Sequence, residues 1–370
     1  MSRCVLRCDA RDNRHPPCDP DRSLPPTHRS GDEADMGPCE QFGGSAHTAP
    51  SLCHDPRRIG SCAGAASTGQ NAAVHITKLS STDGFLAVDL PAAPRSVGVI
   101  RCARKILTDG AVLLARSITY SHASFGLNVS GASAAVNAEG DGRDAALQAA
   151  VGELAERVGS GALHLDPGKG VAVADVAPWS LPPPAFAAAD AVATGVLAAA
   201  LATVGPLDGR TVMIEAGAPC ASAIETAFAA AKAVPDVRPL TEFGHGELAI
   251  VGSRPGIVDH SVAGGWSFGA LIASGPVPVT ARGLAVLEAA GTTVVPDFLS
   301  LAGPHLLRAV GDEPASLDAI GARIRDAVAA AATEASDADA PGGLFLAACR
   351  RAEAHLLTWV DQLPFGRPLA

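Results

Sequence analysis

The chain reads as an α/β protein of two domains, an N-terminal α/β domain followed by a Rossmann-like domain of the nucleotide-binding type. Three observations predict this class. From about residue 73 onward, short apolar runs alternate with segments of helical periodicity, the pattern of strands connected by helices. Residues 207–223 run through a turn, a short apolar strand, a small-residue turn and a helix, as at the opening of a nucleotide-binding βαβ unit. The 370 residues are 48% hydrophobic and 18% charged, enough for sizeable cores and too apolar for wholesale disorder. No apolar run reaches about 18 residues without a charge or a Pro/Gly break, so no membrane span is expected.

Residues 1–70 differ from everything after them. They hold six of the nine cysteines (Cys4, Cys8, Cys18, Cys39, Cys53, Cys62), four His and many Arg and Pro, without a sustained apolar period. A zinc site needs two close pairs of ligands about 12 to 20 residues apart, and these spacings do not supply them. The apolar stretch from Met1 to Leu6 is too short for a secretory signal. A disordered tail, or sequence upstream of the true start, is therefore expected over 1–70, and the isolated Cys102, Cys220 and Cys349 fit a reducing cytoplasm.

The first domain is expected over 71–185. Alternating apolar residues at 73–77 and 84–90, separated by Ser80-Ser-Thr-Asp-Gly, predict a hairpin. A helix from Asp109, with the aspartate as an acidic cap, places Val112, Ala115 and Ile118 on one face; a second shows Leu147, Val151, Leu154 and Val158 at spacings of 4, 3 and 4. Between them, Gly126 to Val136 is a run of small residues that allows close backbone approach. The proline-rich stretch 178–184 closes the domain.

The second domain is expected over 186–340. An alanine-rich helix at 185–204 leads to a strand at 211–214 and a helix, and further strands at 248–251, 271–273 and 293–295 alternate with helices such as 282–290. A last amphipathic helix within 341–360 is expected to pack back on the body. The net charge of −10, with only 28 Lys and Arg scattered along the chain, excludes a phosphate-binding stripe and so a nucleic-acid partner.

Four motifs carry a family resemblance. They are Leu114-Ala-Arg-Ser-Ile-Thr-Tyr-Ser-His-Ala-Ser-Phe-Gly-Leu-Asn-Val-Ser-Gly-Ala-Ser, Leu165-Asp-Pro-Gly, Leu207-Asp-Gly-Arg-Thr-Val and Val295-Pro-Asp-Phe. In order and spacing, over about residues 73–360, they resemble the glutamate/leucine/phenylalanine/valine dehydrogenase family, most closely its leucine-dehydrogenase-like branch. The resemblance implies NAD as cofactor, an amino acid or keto acid as substrate, and a homodimer or larger homo-oligomer joined through the first domain. It also implies a catalytic aspartate, here Asp166, and two lysines. At the lysine positions this chain has Ser121 and Ser133, and a neutral hydroxyl neither pairs with a substrate carboxylate nor acts as a cationic acid. Lys169, three residues after Asp166, is a candidate substitute; Asp-Pro-Gly is also a turn sequence in its own right.

The cofactor motif is eroded in the same way. Where G-x-G-x-x-G turns tightly under a pyrophosphate, the chain reads Ala216-Gly217-Ala218-Pro219-Cys220-Ala221. Methyl groups crowd the phosphate and Pro219 removes a donor, although the helix dipole remains. Glu242 is the candidate for a ribose hydroxyl. Pro278 and Leu301 replace two family asparagines. Two readings follow: a diverged dehydrogenase-like pseudoenzyme with lost or altered oxidative deamination, or an active NAD-dependent oxidoreductase on a branched-chain or aromatic amino acid or keto acid, using Asp166 with Lys169. A zinc-dependent regulator acting through the Cys/His-rich head is a third and more distant one.

Overall fold

The predicted hairpin opens the first sheet. In a computed structural model that describes residues 74–181, 187–309, 316–337 and 342–370, strands β1 (His75–Lys78) and β2 (Gly84–Val88) pair antiparallel. Glu153 holds their turn by accepting from the amides of Ser80 and Ser81 and the Ser81 hydroxyl. The cysteine-rich head and the end of the proline-rich stretch lie outside the described residues.

Two central strands escape prediction, the second because of its composition. Strand β3 (Ser96–Ala103) and strand β4 (Ser130–Asn137) run parallel side by side, yet β4 is built from Ser, Gly and Ala, residues that carry no strand signal. The packing demands them. Helix α1 (Thr108–Ser124) lies so close on the sheet that a Cβ on Gly131 would come within 1.8 Å of the Ala115 carbonyl oxygen. The small-residue segment is thus a buried strand under a helix, with the close approach its composition suggested. Asp109 sits in the first turn of α1 rather than at its cap, which is Leu107.

Helix α2 (Arg143–Gly159) covers the opposite face and buries Leu147, Val151, Leu154 and Val158, the four residues its periodicity selects. Strand β5 (Leu163–Pro167) completes the sheet beside β3, giving the order β1-β2-β4-β3-β5. The Asp-Pro-Gly sequence therefore ends a strand, with Asp166 in register with Val99.

Helix α3 (Ala188–Val204) leads into the second sheet. Strand β6 (Thr211–Glu215), helix α4 (Ala221–Ala230), strand β7 (Val234–Arg238), strand β8 (His245–Val251), helix α5 (His260–Ala263), strand β9 (Ser267–Ala273), helix α6 (Ala281–Ala289) and strand β10 (Thr293–Val295) follow. All five strands are parallel in the order β10-β9-β8-β6-β7. The order reverses between β6 and β8, the topological switch point at which open α/β sheets bind ligands.

Short helices α7 (Asp297–Ser300) and α8 (Ala302–Ala309) and the long helices α9 (Leu317–Ala335) and α10 (Leu344–Leu356) then return over α3 and α1. Chain ends are usually loose, but here the last residues are tied down. Buried Arg116 of α1 pairs with buried Asp89 at 2.7 Å and donates to the carbonyls of Phe365 and Gly366. Arg367 grips Glu353 at 2.7 Å, and the Ala370 amide donates to the Val279 carbonyl. The described residues belong to one compact unit containing both sheets, and none of their helices is long and apolar enough to cross a membrane.

Candidate functional site

The two sheets frame a cavity of about 960 Å³. Helix α1 contributes Ser117 and Ser121, strand β5 contributes Asp166, the β6–α4 turn contributes Pro219 and Cys220, and the loop after β9 contributes Ser274. Its walls are mostly hydrocarbon, from residues such as Val99, Leu114, Ile118, Val176, Phe298 and Leu301. Size and wall chemistry match small-molecule sites, which are mainly apolar with a few placed polar groups.

The polar groups fall into two sets. In the first, Asp297 is fully enclosed, and burial pushes its carboxyl up to about 6 although the Ser117 hydroxyl donates to it at 2.6 Å and the Val277 amide at 2.8 Å. His305 is held down to about 4 by burial, against the opposing charge of Asp166. Its ring lies 5.2 Å from that of His122, which donates Nδ1–H to the Ile118 carbonyl and is pushed by burial to about 3. Both imidazoles are neutral at pH 7. The second set is unsatisfied: the hydroxyls of Ser121 and Ser274, 2% and 1% exposed, have no hydrogen-bond partner, an uncommon state for buried polar atoms.

Ser121 and Ser133, expected at the lysine positions, are placed differently from each other. Ser121 lines the cavity. Ser133, fully buried on β4, does not; its hydroxyl accepts from Arg101 Nη2 at 3.1 Å. The β3–β4 and β3–β5 registers set Ser133, Val99 and Asp166 in one row, so Arg101 reaches the row that holds the aspartate. Arg101 is itself desolvated, its Nε has no partner, and burial lowers its basicity. Asp166 lines the cavity and meets His164 Nε2 at 3.3 Å. Lys169 is exposed on the following loop, away from the cavity wall.

The amides around the β6–α4 turn are largely used by the protein itself. Glu215, 3% exposed at the end of β6, accepts from the amides of Gly252 and Ser253 at 2.8 and 3.0 Å. Its carboxylate therefore bridges β6 to the end of β8, across the switch point. In the turn, the Ala216 amide donates to Arg238, the Ala218 amide to Glu215 and the Ala221 amide to Ala218, while Pro219 has none. Gly217 is exposed, and Cys220 adopts a left-handed conformation at φ 58° to start α4, a strain of about 1–3 kcal/mol for a non-glycine residue. Glu242 is exposed in a single helical turn after β7. Leu301 lines the cavity, and Pro278 lies on the loop after β9.

Sequence reasoning missed Glu215, Arg101, Ser274 and His305. Glu215 had a legible signal, an acid ending an otherwise apolar strand; the others become neighbours only through the fold.

No protein-family model and no curated protein sequence matches the chain. Solved structures do. An L-tryptophan dehydrogenase from Nostoc punctiforme superposes with a TM-score of 0.60 at 15% identity, covering 77% of this chain and 95% of that one. A hetero-hexameric glutamate dehydrogenase from Thermus thermophilus gives 0.62 at 19% identity over 75% and 85% of the two chains. A glutamate dehydrogenase from Plasmodium falciparum gives 0.60 at 11% identity over 75% and 80%. The chain therefore has the two-sheet fold of the amino acid dehydrogenases.

Proposed function

We propose that this chain keeps the amino acid dehydrogenase fold and its ligand cleft, and has given up NAD-dependent oxidative deamination. The observation that carries the reading is Glu215, whose carboxylate takes the two amides at the switch point, where a dinucleotide would need donors for its negative pyrophosphate. A bound carboxylate and a phosphate repel each other there. The internally used amides of Ala216, Ala218 and Ala221 and the missing one of Pro219 point the same way, so the residues present do not fit a dinucleotide.

The chemistry of the cleft agrees. Oxidative deamination removes a hydride from Cα and adds water to the iminium, which needs a cation on the substrate carboxylate and a tuned acid or base. Ser121 and Ser133 supply neither, and loss of one such group typically lowers the rate about 10² to 10⁴-fold. The division into a first domain over 71–185 that self-associates and a nucleotide-type domain over 186–340, with 341–370 returning to the body, belongs to the same proposal, as does a cytoplasmic site for the free thiols of Cys102, Cys220 and Cys349.

Titration calorimetry and thermal shift with millimolar NAD and NADP test the reading, together with a coupled oxidation screen over branched-chain and aromatic amino acids. No heat, no stabilisation and no turnover are expected. Saturable binding with turnover refutes the reading and favours the alternative, an active oxidoreductase that uses Asp166 and Lys169.

A further inference from the structure

The cavity is larger and more apolar in its walls than a site for a small zwitterion needs to be, and beside the carboxyls of Asp166 and Asp297 its polar groups are mainly hydroxyls. Ser121 on α1 and Ser274 after β9 present buried hydroxyls without partners from two different elements of the wall. His305, a neutral imidazole, joins them on α8. Hydroxyls and a neutral imidazole hydrogen-bond well to uncharged carbonyls and alcohols, and they do not compensate a desolvated charge. Asp297, enclosed in the same wall with Ser117 and the Val277 amide as its donors, and Asp166 put two carboxyl groups in the lining, which disfavours a second anion beside them. Arg101, which might have served a carboxylate, donates instead to Ser133 and does not line the cavity.

We infer that the cavity between the two sheets binds an uncharged, predominantly apolar molecule of about bicyclic size or larger, whose carbonyl or hydroxyl group is met by Ser121 and Ser274. The inference rests on the reading that the cleft no longer serves amino acid oxidation, and it names the ligand class of that cleft. The hydrocarbon walls supply affinity through burial of apolar area, and the two hydroxyls set orientation. Filling the cavity also satisfies two groups that are otherwise orphaned.

The test uses three probes with one ring system and the full chain: 2-acetonaphthone, 2-naphthoate and 2-ethylnaphthalene, followed by fluorescence and calorimetry without nucleotide. The ketone is expected to bind one per chain, and the carboxylate at least ~10-fold more weakly for want of a compensating charge. Ser121→Ala and Ser274→Ala are each expected to weaken the ketone ~5-fold, the worth of one neutral hydrogen bond, and to leave the hydrocarbon unchanged. Leu301→Trp, which narrows the cavity, should abolish binding of all three while circular dichroism reports an intact fold. Equal or tighter binding of 2-naphthoate overturns the inference, as does an absence of binding to the folded chain or a ketone affinity indifferent to both serines. These outcomes leave the dinucleotide reading standing, whereas NAD-coupled turnover overturns that reading whatever the probes do.

Discussion

Placing a lysine at position 133, where the family resemblance expects one, is the sharpest test of the proposal that the site has diverged. Ser133 is fully buried and its hydroxyl lies 3.1 Å from Arg101 Nη2. An ammonium introduced by Ser133→Lys would stand about 4 Å from the guanidinium, where two like charges repel by about 4 kcal/mol at an effective dielectric constant of about 20. Desolvation of the new charge adds several kcal/mol. Since a folded chain commonly has only about 5–15 kcal/mol of stability, the single substitution is expected to unfold much of the population. Arg101→Met should change stability by no more than about 1 kcal/mol, because a partly buried cation with no acidic partner among the described residues is replaced by a side chain of similar reach. The double variant should then recover about 3–4 kcal/mol of the loss. Urea unfolding of the four proteins, followed by circular dichroism, gives the coupling; if Ser133→Lys alone does not fold, recovery of soluble folded protein in the double variant is the readout. Additivity within about 0.5 kcal/mol would refute the coupling between position 133 and Arg101.

Glu215→Ala should cost about 2–4 kcal/mol by orphaning the buried amides of Gly252 and Ser253, while Glu215→Gln, which keeps a carbonyl acceptor, should cost about 1–2 kcal/mol; equal denaturation midpoints for the two would exclude the bridging role. Acid sensitivity has a definite sign. His305 and His122 are depressed from 6.5 to about 4 and about 3 by burial, so the stability they contribute is present above pH 6.5 and is lost as pH falls through those values. Asp297, raised from 3.8 to about 6 by burial, acts the other way, its contribution being present below about pH 4 and lost as pH rises through 6. Two imidazoles outweigh one carboxylate, so stability should fall between pH 6.5 and 4, and His305→Phe should make that fall shallower. A pH profile unchanged by the substitution would show that the imidazole does not stay neutral in the fold.

Much of the fold was legible because the relevant forces are local. The spacing of Leu147, Val151, Leu154 and Val158 marks a helix face whatever lies beneath it, and all four are buried. The segment around Thr211–Glu215 reads as a buried parallel strand because it is short, apolar and followed by small residues. Strand β4 was not legible, because its Gly and Ala residues are selected by the approach of α1 rather than by strand propensity. Strand β5 hid behind Asp166-Pro167-Gly168, a good turn in isolation, which the ladder with β3 draws into the sheet.

At the candidate site, identity and arrangement separate cleanly. The matching of Ser121 and Ser133 to the lysine positions of the resembled family, and of Ala216 and Pro219 to its glycine-rich turn, is an expectation drawn from residue order alone. That Ser121 faces a cavity while Ser133 is claimed by Arg101, and that Lys169 points to solvent, depends on strand register and on which face of each sheet α1 covers. The same holds for Glu215. Its carboxylate closes the switch point only because the parallel order brings the end of β8 beside the end of β6, 37 residues away in the chain. Covalent order lists the groups that are present; desolvation and non-local pairing decide which of them are satisfied, which remain charged, and which are left for a ligand.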